Sequence, residues 1–310
     1  MDPIGFANRV AVVTGAGSGL GRAHALALAA RGAKVVVNDP GADVSGGGGD
    51  HGPADRVVAE IRAAGGIAAP SYLSVAGHES AQRIIQTAID EFGRIDILVN
   101  NAGILRDKTL AKMDPADFDL VVRVHLGGSA YCTRAALPFM QAQAYGRIVL
   151  TTSAAGLYGN FGQTNYAAAK LGIVGLMNAL KHECERYAIR VNTIAPIAVT
   201  RMTEGLPFAD LIETATPDKV SAGVLFLASE ACDFSGAVLV AGGGYFARAY
   251  IVETAGIRAA PGQAITPEFV ASQWAVLSDP QGARGFDSAM AALAAEFGAG
   301  RPDGDTGVGA

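Results

Sequence analysis

Seven short apolar runs punctuate the chain: Val10–Val13, Lys34–Asn38, Ile67–Val75, Ile95–Val99, Arg147–Thr151, Arg190–Ile194 and Ala237–Val240. Most carry aliphatic and β-branched side chains in succession, without polar alternation. That pattern suits strands buried on both faces, as in a parallel sheet. Between the runs the apolar spacing changes to three and four, which predicts helices over Arg22–Arg31, Ala54–Ala64, Glu79–Phe92, Pro115–Val124 and onward to about Gln143, Asn165–Arg186 and Val220–Ala228. Strand and helix units repeat with no linker, so the expected fold is α/β, one doubly wound parallel sheet over residues 1–244. An extension follows over 245–297, with Tyr250, Phe269 and Trp274 as apolar anchors, covering either the active site or a subunit interface. The glycine-rich tail, 298–310, is expected to be disordered.

The first strand leads into Thr14-Gly15-Ala16-Gly17-Ser18-Gly19-Leu20-Gly21, then a helix and a second strand. In that order a glycine cluster becomes a phosphate site. Gly15, Gly19 and Gly21 permit the tight turn and the approach of a pyrophosphate, while the helix N-terminus offers N–H groups and a favourable dipole. Gly15, Ser18, Gly19, Leu20 and Gly21 are the candidate contacts. Asp39 ends the second strand, where its carboxylate would accept from ribose hydroxyls and repel a 2′-phosphate, so NAD is expected over NADP. The bland alternative for Asp39 is a turn-starting carboxylate. Ser74 and Val75 fall at a strand end where adenine could stack, and Asn100-Asn101-Ala102-Gly103 follow the fourth strand, small enough to lie beside a cofactor. Gly41–Pro53 reads as a mobile surface loop, with His51 solvated rather than ligating.

With half the residues hydrophobic and 17% charged, the composition is that of a globular protein. A net charge of −5 argues against a nucleic-acid partner. Cys132, Cys184 and Cys232 are odd in number and widely spaced, as for buried, reduced thiols, and the five histidines show no metal-ligand pattern. No apolar run is long enough to span a bilayer, and the C-terminal Gly-Val-Gly-Ala is no peroxisomal address, so a cytoplasmic protein is expected.

The chemistry concentrates between Ser153 and Lys170. If Tyr166 and Lys170 share a helix, four residues apart, they project from one face. A nearby ammonium favours the phenolate, lowering the tyrosine pKa and making Tyr166 a general acid/base. Ser153, at the end of the preceding strand, can hold the same substrate oxygen. Alone, Tyr-x-x-x-Lys is a weak signal, equally a surface lysine one turn beyond a half-buried tyrosine. Glu204–Thr216, holding Pro207 and the apolar positions Leu206, Phe208, Leu211 and Ile212, is either a substrate lid or a fixed packing helix.

Together, Thr14-Gly15-x-x-x-Gly19-x-Gly21, Asn100-Asn101-Ala102-Gly103, Ser153 and Tyr166-x-x-x-Lys170 resemble the short-chain dehydrogenase/reductase family. Val37-Asn38-Asp39, NNAGILRDK from Asn100, VRVHLGGSA from Val122, GLYGNFGQTNYAAAKLG from Gly156 and the Thr266-Pro267-Glu268 region resemble, more narrowly, the (3R)-hydroxyacyl-CoA dehydrogenase part of peroxisomal multifunctional enzyme type 2. The resemblance implies a Rossmann fold, with Tyr166 as proton acceptor, Lys170 assisting it and binding the nicotinamide ribose, and Ser153 on the substrate oxygen. It also implies adenosine contacts from Asp39, Ser74, Val75 and Asn101, and Thr200 near the carboxamide. His125 stands where many members have asparagine and is either a proton relay or a packed imidazole. Ile197 replaces the usual glycine after Pro196. A hydratase step is expected from another protein, since 310 residues leave no space for the hydratase and lipid-carrier domains.

The expected reaction is oxidation of a (3R)-3-hydroxyacyl-CoA by NAD. A hydroxysteroid or steroid-CoA side-chain dehydrogenase is the alternative, and an NAD-binding sensor without turnover a more distant one. A homodimer or homotetramer is implied by the family and fits apolar outer positions along Leu171–Leu180.

Overall fold

The computed structural model describes residues 3–198 and 215–297. All seven runs become strands: β1 (Val10–Thr14), β2 (Lys34–Asn38), β3 (Ile67–Ser71), β4 (Ile97–Asn100), β5 (Gly146–Thr151), β6 (Ile189–Pro196) and β7 (Val238–Gly242). They pair in parallel in the order β3-β2-β1-β4-β5-β6-β7. The chain reverses direction across the sheet between β1 and β4, and such a reversal leaves a crevice beyond the carboxyl ends of the strands. The strands are mostly apolar because both faces are covered: Val12, Val13, Val36, Leu98, Val99 and Val149 are wholly buried, each side chain contributing ~1.5–3 kcal/mol.

Helices α1 (Gly19–Ala30), α2 (Gly52–Ala63), α3 (His78–Phe92), α4 (Pro115–Val122), α5 (Gly128–Gln143), α6 (Ala154–Tyr158), α7 (Thr164–Cys184) and α8 (Pro217–Ala228) cover the sheet. α1 packs on α2 and α8, and α3 on α5. A π-helical turn, Arg123–Gly127, joins α4 to α5, and its flanking residues Val122 and Gly128 are both right-handed helical. At the amino ends of the strands, wholly buried Asp96 accepts from Arg9 (3.0 Å), Arg94 Nε (2.8 Å) and the Val10 amide (2.9 Å). The Tyr145 ring lies between the Arg9 and Arg147 guanidinium groups, at 3.7 and 4.6 Å. The crevice therefore lies at the sheet edge opposite this ionic lock.

Tyr245–Ala249, expected to begin the extension, instead forms an eighth strand, β8, beside β7. The turn Gly243-Gly244 allows it, with φ of 59° and 91°, values that favour glycine. One compact unit runs to Arg248 and a second begins at Ala249. Within the second, Glu253 and Arg284 exchange backbone hydrogen bonds of 2.9 and 2.8 Å, and Thr254 Oγ1 donates to the Leu277 carbonyl. It carries α9 (Pro267–Ser272), α10 (Trp274–Leu277) and α11 (Ala289–Phe297). Tyr250 and Trp274, expected as anchors, are each 65% exposed, whereas Phe269 is half-buried in α9. The expected tail and nearly all of Glu204–Thr216 lie outside the described residues. Among the described residues no helix is long and apolar enough to cross a membrane.

Candidate active site

Gly15, at φ 63°, turns the chain out of β1 so closely beneath residues 101–102 that a Cβ there would lie 2.8 Å from the Ala102 Cα. A Cβ on Gly21 would overlap the Gly15 carbonyl oxygen. The turn is locked from the other side. The Asn101 amide nitrogen donates to the Thr14 and Gly15 carbonyls (3.0 and 3.1 Å), while Thr14 Oγ1 accepts from the Asn101 and Ala102 N–H groups (3.0 and 3.1 Å). Asn101 thus holds the turn with the side chain that was expected to meet adenosine. Gly17, which the sequence reading passed over, donates its N–H to Asp39 Oδ2 at 2.8 Å, and Asp39 Oδ1 accepts from Gly41 at 2.8 Å. A Cβ at Gly17 would come within 2.8 Å of the Asp39 carboxyl carbon, so only glycine admits this pairing.

One cleft connects these residues to the reactive end. Gly15, Ser18, Gly19, Leu20, Asp39, Ser74, Val75, Asn101, Ala102, Gly103, His125, Tyr166 and Lys170 all line it. Two expected cofactor residues do not. Asn100 is buried and donates to Thr133 Oγ1 at 3.2 Å, because the end of β4 points it into the helix layer. Gly21 is spent on helix–turn packing. Thr200 lies outside the described residues.

Gly41–Pro53, expected as a mobile surface loop, does lie at the surface and is also tied to the cleft. Pro40, Ala42, Asp43, Val44 and Gly46 line the cleft, the Val44 carbonyl accepts from Leu105 N–H (2.9 Å), and Asp43 Oδ1 ties back Ser45 and Gly47. Its glycines suggested freedom, and only contacts from a distant segment show the loop to be held. His51 stays exposed and stacks on Tyr72, ring centres 3.9 Å apart.

β5 delivers Ser153, whose Oγ accepts from Ala155 N–H at 3.2 Å to start α6 and hydrogen-bonds Tyr166. Lys170 lies one turn beyond Tyr166 on α7. Its Nζ sits 5.5 Å from the Tyr166 ring centre and donates to the Thr151 carbonyl at 2.6 Å. Burial lowers the Lys170 pKa to about 7. The Tyr166 pKa is raised, contrary to expectation. Burial of the phenolate is the main cause, opposed by the Ser153 hydrogen bond and reinforced by Asp107. Lys170, whose charged form is itself disfavoured by burial, does not offset this.

His125 sits on the π-helical turn, buried, its ring edge-on to Tyr166 with centres 5.1 Å apart. Nε2 lies 2.8 Å from the Ile104 carbonyl and 3.1 Å from the Ile104 N–H, so one ring nitrogen is committed whichever tautomer holds. Burial, with the nearby Lys170 charge, lowers its pKa to about 3. Nδ1 is buried without a partner, and so is Thr151 Oγ1, another atom of a cleft residue. Unpaired buried polar atoms are costly and mark where a ligand or water bonds. The locked glycine turn, the doubly held Asp39 and these open polar atoms fit a dinucleotide. Ile197 does not intrude. It packs against the Gly242 backbone, where a Cβ would come within 2.5 Å of its own.

A family model described as short chain dehydrogenase matches residues 9–207, well over half of the sequence. The chain belongs to the short-chain dehydrogenase family. It is 49% identical over 279 residues to peroxisomal multifunctional enzyme type 2 of Mus musculus, covering 90% of this chain and 38% of that protein. It is 48% identical to a putative short-chain type dehydrogenase/reductase of Mycobacterium tuberculosis, covering 90% and 97%. The structure of full-length multifunctional enzyme type 2 from Drosophila melanogaster superposes with a TM-score of 0.79 at 38% identity, covering 94% of this chain and 49% of that one. This chain thus spans less than half of these multifunctional relatives. It is an oxidoreductase of that family.

Proposed function

We propose that this protein oxidises (3R)-3-hydroxyacyl-CoA to 3-oxoacyl-CoA with NAD. The observation that carries the reading is the single cleft that joins Asp39, held by Gly17 and Gly41, to Tyr166 and Lys170, with Ser153 hydrogen-bonded to Tyr166. When bound, NAD supplies the hydride acceptor and a positive charge that offsets the cost of a buried phenolate. Ser153 holds the alcohol oxygen. Tyr166 takes its proton as the hydride leaves the carbinol carbon, so the alcohol loses two electrons and two hydrogens. Neutral His125, with Nδ1 open, can accept a hydrogen bond from the cleft, and Lys170, with its pKa near 7, can exchange a proton.

The acyl-CoA substrate rests on the similarity to the multifunctional enzymes, and NAD on the carboxylate of Asp39. A cytoplasmic homodimer or homotetramer completes the reading, tested by fractionation and light scattering. NADH formation should be followed by absorbance with NAD or NADP and with a (3R)-hydroxyacyl-CoA, its (3S) isomer or a 17β-hydroxysteroid. Turnover with NAD and the (3R) thioester alone supports the proposal; turnover of the steroid alone refutes it. Tyr166→Phe should bind NAD and lose ~10²–10⁴-fold in rate, the range of general acid–base catalysis.

A further inference from the structure

The segment Ile104–Lys108 touches three parts of the site at once. Ile104 holds His125 through Nε2. Farther along, the Arg106 carbonyl accepts from Asn165 Nδ2 (3.1 Å), whose own Oδ1 accepts from the Tyr166 N–H (2.7 Å), and Asp107 accepts from Gln163 (2.6 Å). On the other side, the Leu105 N–H donates to the Val44 carbonyl (2.9 Å) and Arg106 Nε donates to the Ser45 carbonyl (2.9 Å). Arg106 is itself braced by Asp117 on α4, at 2.5 Å.

The loop so held is closed at its neck. Asp50 N–H donates to the Pro40 carbonyl, and a Cβ at Gly41 would overlap the Asp50 carbonyl oxygen. Loops of this length whose ends meet form compact surface units packed by their own side chains, and are frequently functional. Gly46, at φ 88°, rests on Ile104, where a Cβ would lie 3.2 Å from two of its side-chain carbons. On the loop's inner side Ala42, Asp43, Val44 and Gly46 line the cleft together with Asp39, Ser74 and Val75.

We infer that residues 41–50 are a roof over the dinucleotide part of the cleft and that Arg106, a positioning residue braced by Asp117, latches it to the segment that carries His125 and abuts Tyr166. This inference rests on the dinucleotide reading of the cleft. The dinucleotide must leave past the roof, so the latch sets its rate of release. Breaking one charge-assisted hydrogen bond should speed release about tenfold, ~1.4 kcal/mol.

The test uses the whole chain and NADH as probe. Stopped-flow displacement should give a dissociation rate roughly tenfold higher for Arg106→Ala, with a smaller rise for Arg106→Lys, which keeps the charge for Asp117 but not the fork. Amide exchange should rise in residues 41–50 and not in β1 to β4. Asp117→Ala should give a similar or smaller increase, and the double variant little more than Arg106→Ala alone. Unchanged NADH release overturns the latch and leaves the proposed function standing. Exchange raised evenly across the sheet also overturns it, by reducing Arg106 to general stability. Failure of the unaltered protein to bind NADH overturns the cofactor reading, and the latch falls with it.

Discussion

Replacing Lys170 by methionine keeps most of the side-chain volume and removes the ammonium. An unfolded chain keeps this lysine charged up to about 10.5, whereas the fold releases its proton above about 7. Unfolding therefore takes up a proton between those values, and the parent protein gains stability as pH rises through that window. At ~1.36 kcal/mol for each tenfold change, the fall from 10.5 to about 7 is a penalty of ~5 kcal/mol at pH 7 and below. The variant escapes it but strands the Thr151 carbonyl, which loses its 2.6 Å donor. That loss costs ~1–3 kcal/mol, leaving Lys170→Met ~2–4 kcal/mol more stable at pH 7. Urea unfolding followed by circular dichroism at pH 7 and pH 9, with NADH formation measured in parallel, checks both halves. Expected are a higher midpoint at pH 7, a gap that narrows by pH 9, and little turnover. A midpoint equal to or below the parent's at pH 7 would refute the reasoning, because the buried ammonium would then carry no penalty.

Gly103→Ala puts a methyl group into the His125 ring, so unfolding should show a loss of ~1–3 kcal/mol, with turnover falling as the imidazole is displaced. Asp39→Ala should narrow the ratio of NAD to NADP turnover; an unchanged ratio would remove Asp39 from cofactor choice. His24 and His125 are both buried with pKa values of about 3, against 6.5 in an unfolded chain. Their contribution is whole above pH 6.5 and declines as pH falls, by ~2 kcal/mol each at pH 5, so the urea midpoint should drop from pH 7 to pH 5.

The sheet was legible because its strands are buried on both faces and so spell themselves as mostly aliphatic runs without polar alternation. The glycine turn and the placing of Tyr166 and Lys170 one turn apart on α7 were legible because each depends on spacing along one element. What escaped depends on partners far apart in sequence. Gly17 matters through Asp39, 22 residues on, and the 41–53 loop is fixed by Leu105 and Arg106 about 60 residues away. Asn100 and Asn101 are adjacent and chemically alike, yet a strand end sends one into the helix layer and the other under the turn. The direction of the Tyr166 shift differed because the expectation counted the lysine's charge and left out the burial of the phenolate, which is the larger effect.

The π-helical turn at Arg123–Gly127 fits one residue more into its span than an ordinary helical turn would hold. Each helical residue advances the side chains by ~100° around the axis. The five residues of the π turn rotate about as far as four ordinary helical residues, so α4 and α5 keep nearly the phase of one straight helix. Deleting one residue there would leave a regular helix, easier to form, with Cys132, Ala136 and Met140 of α5 still turned to the core. What would go is the widened turn that carries His125. The spare residue is a local bulge that serves a reactive cleft at the middle of the rod and leaves the dry core along its second half undisturbed.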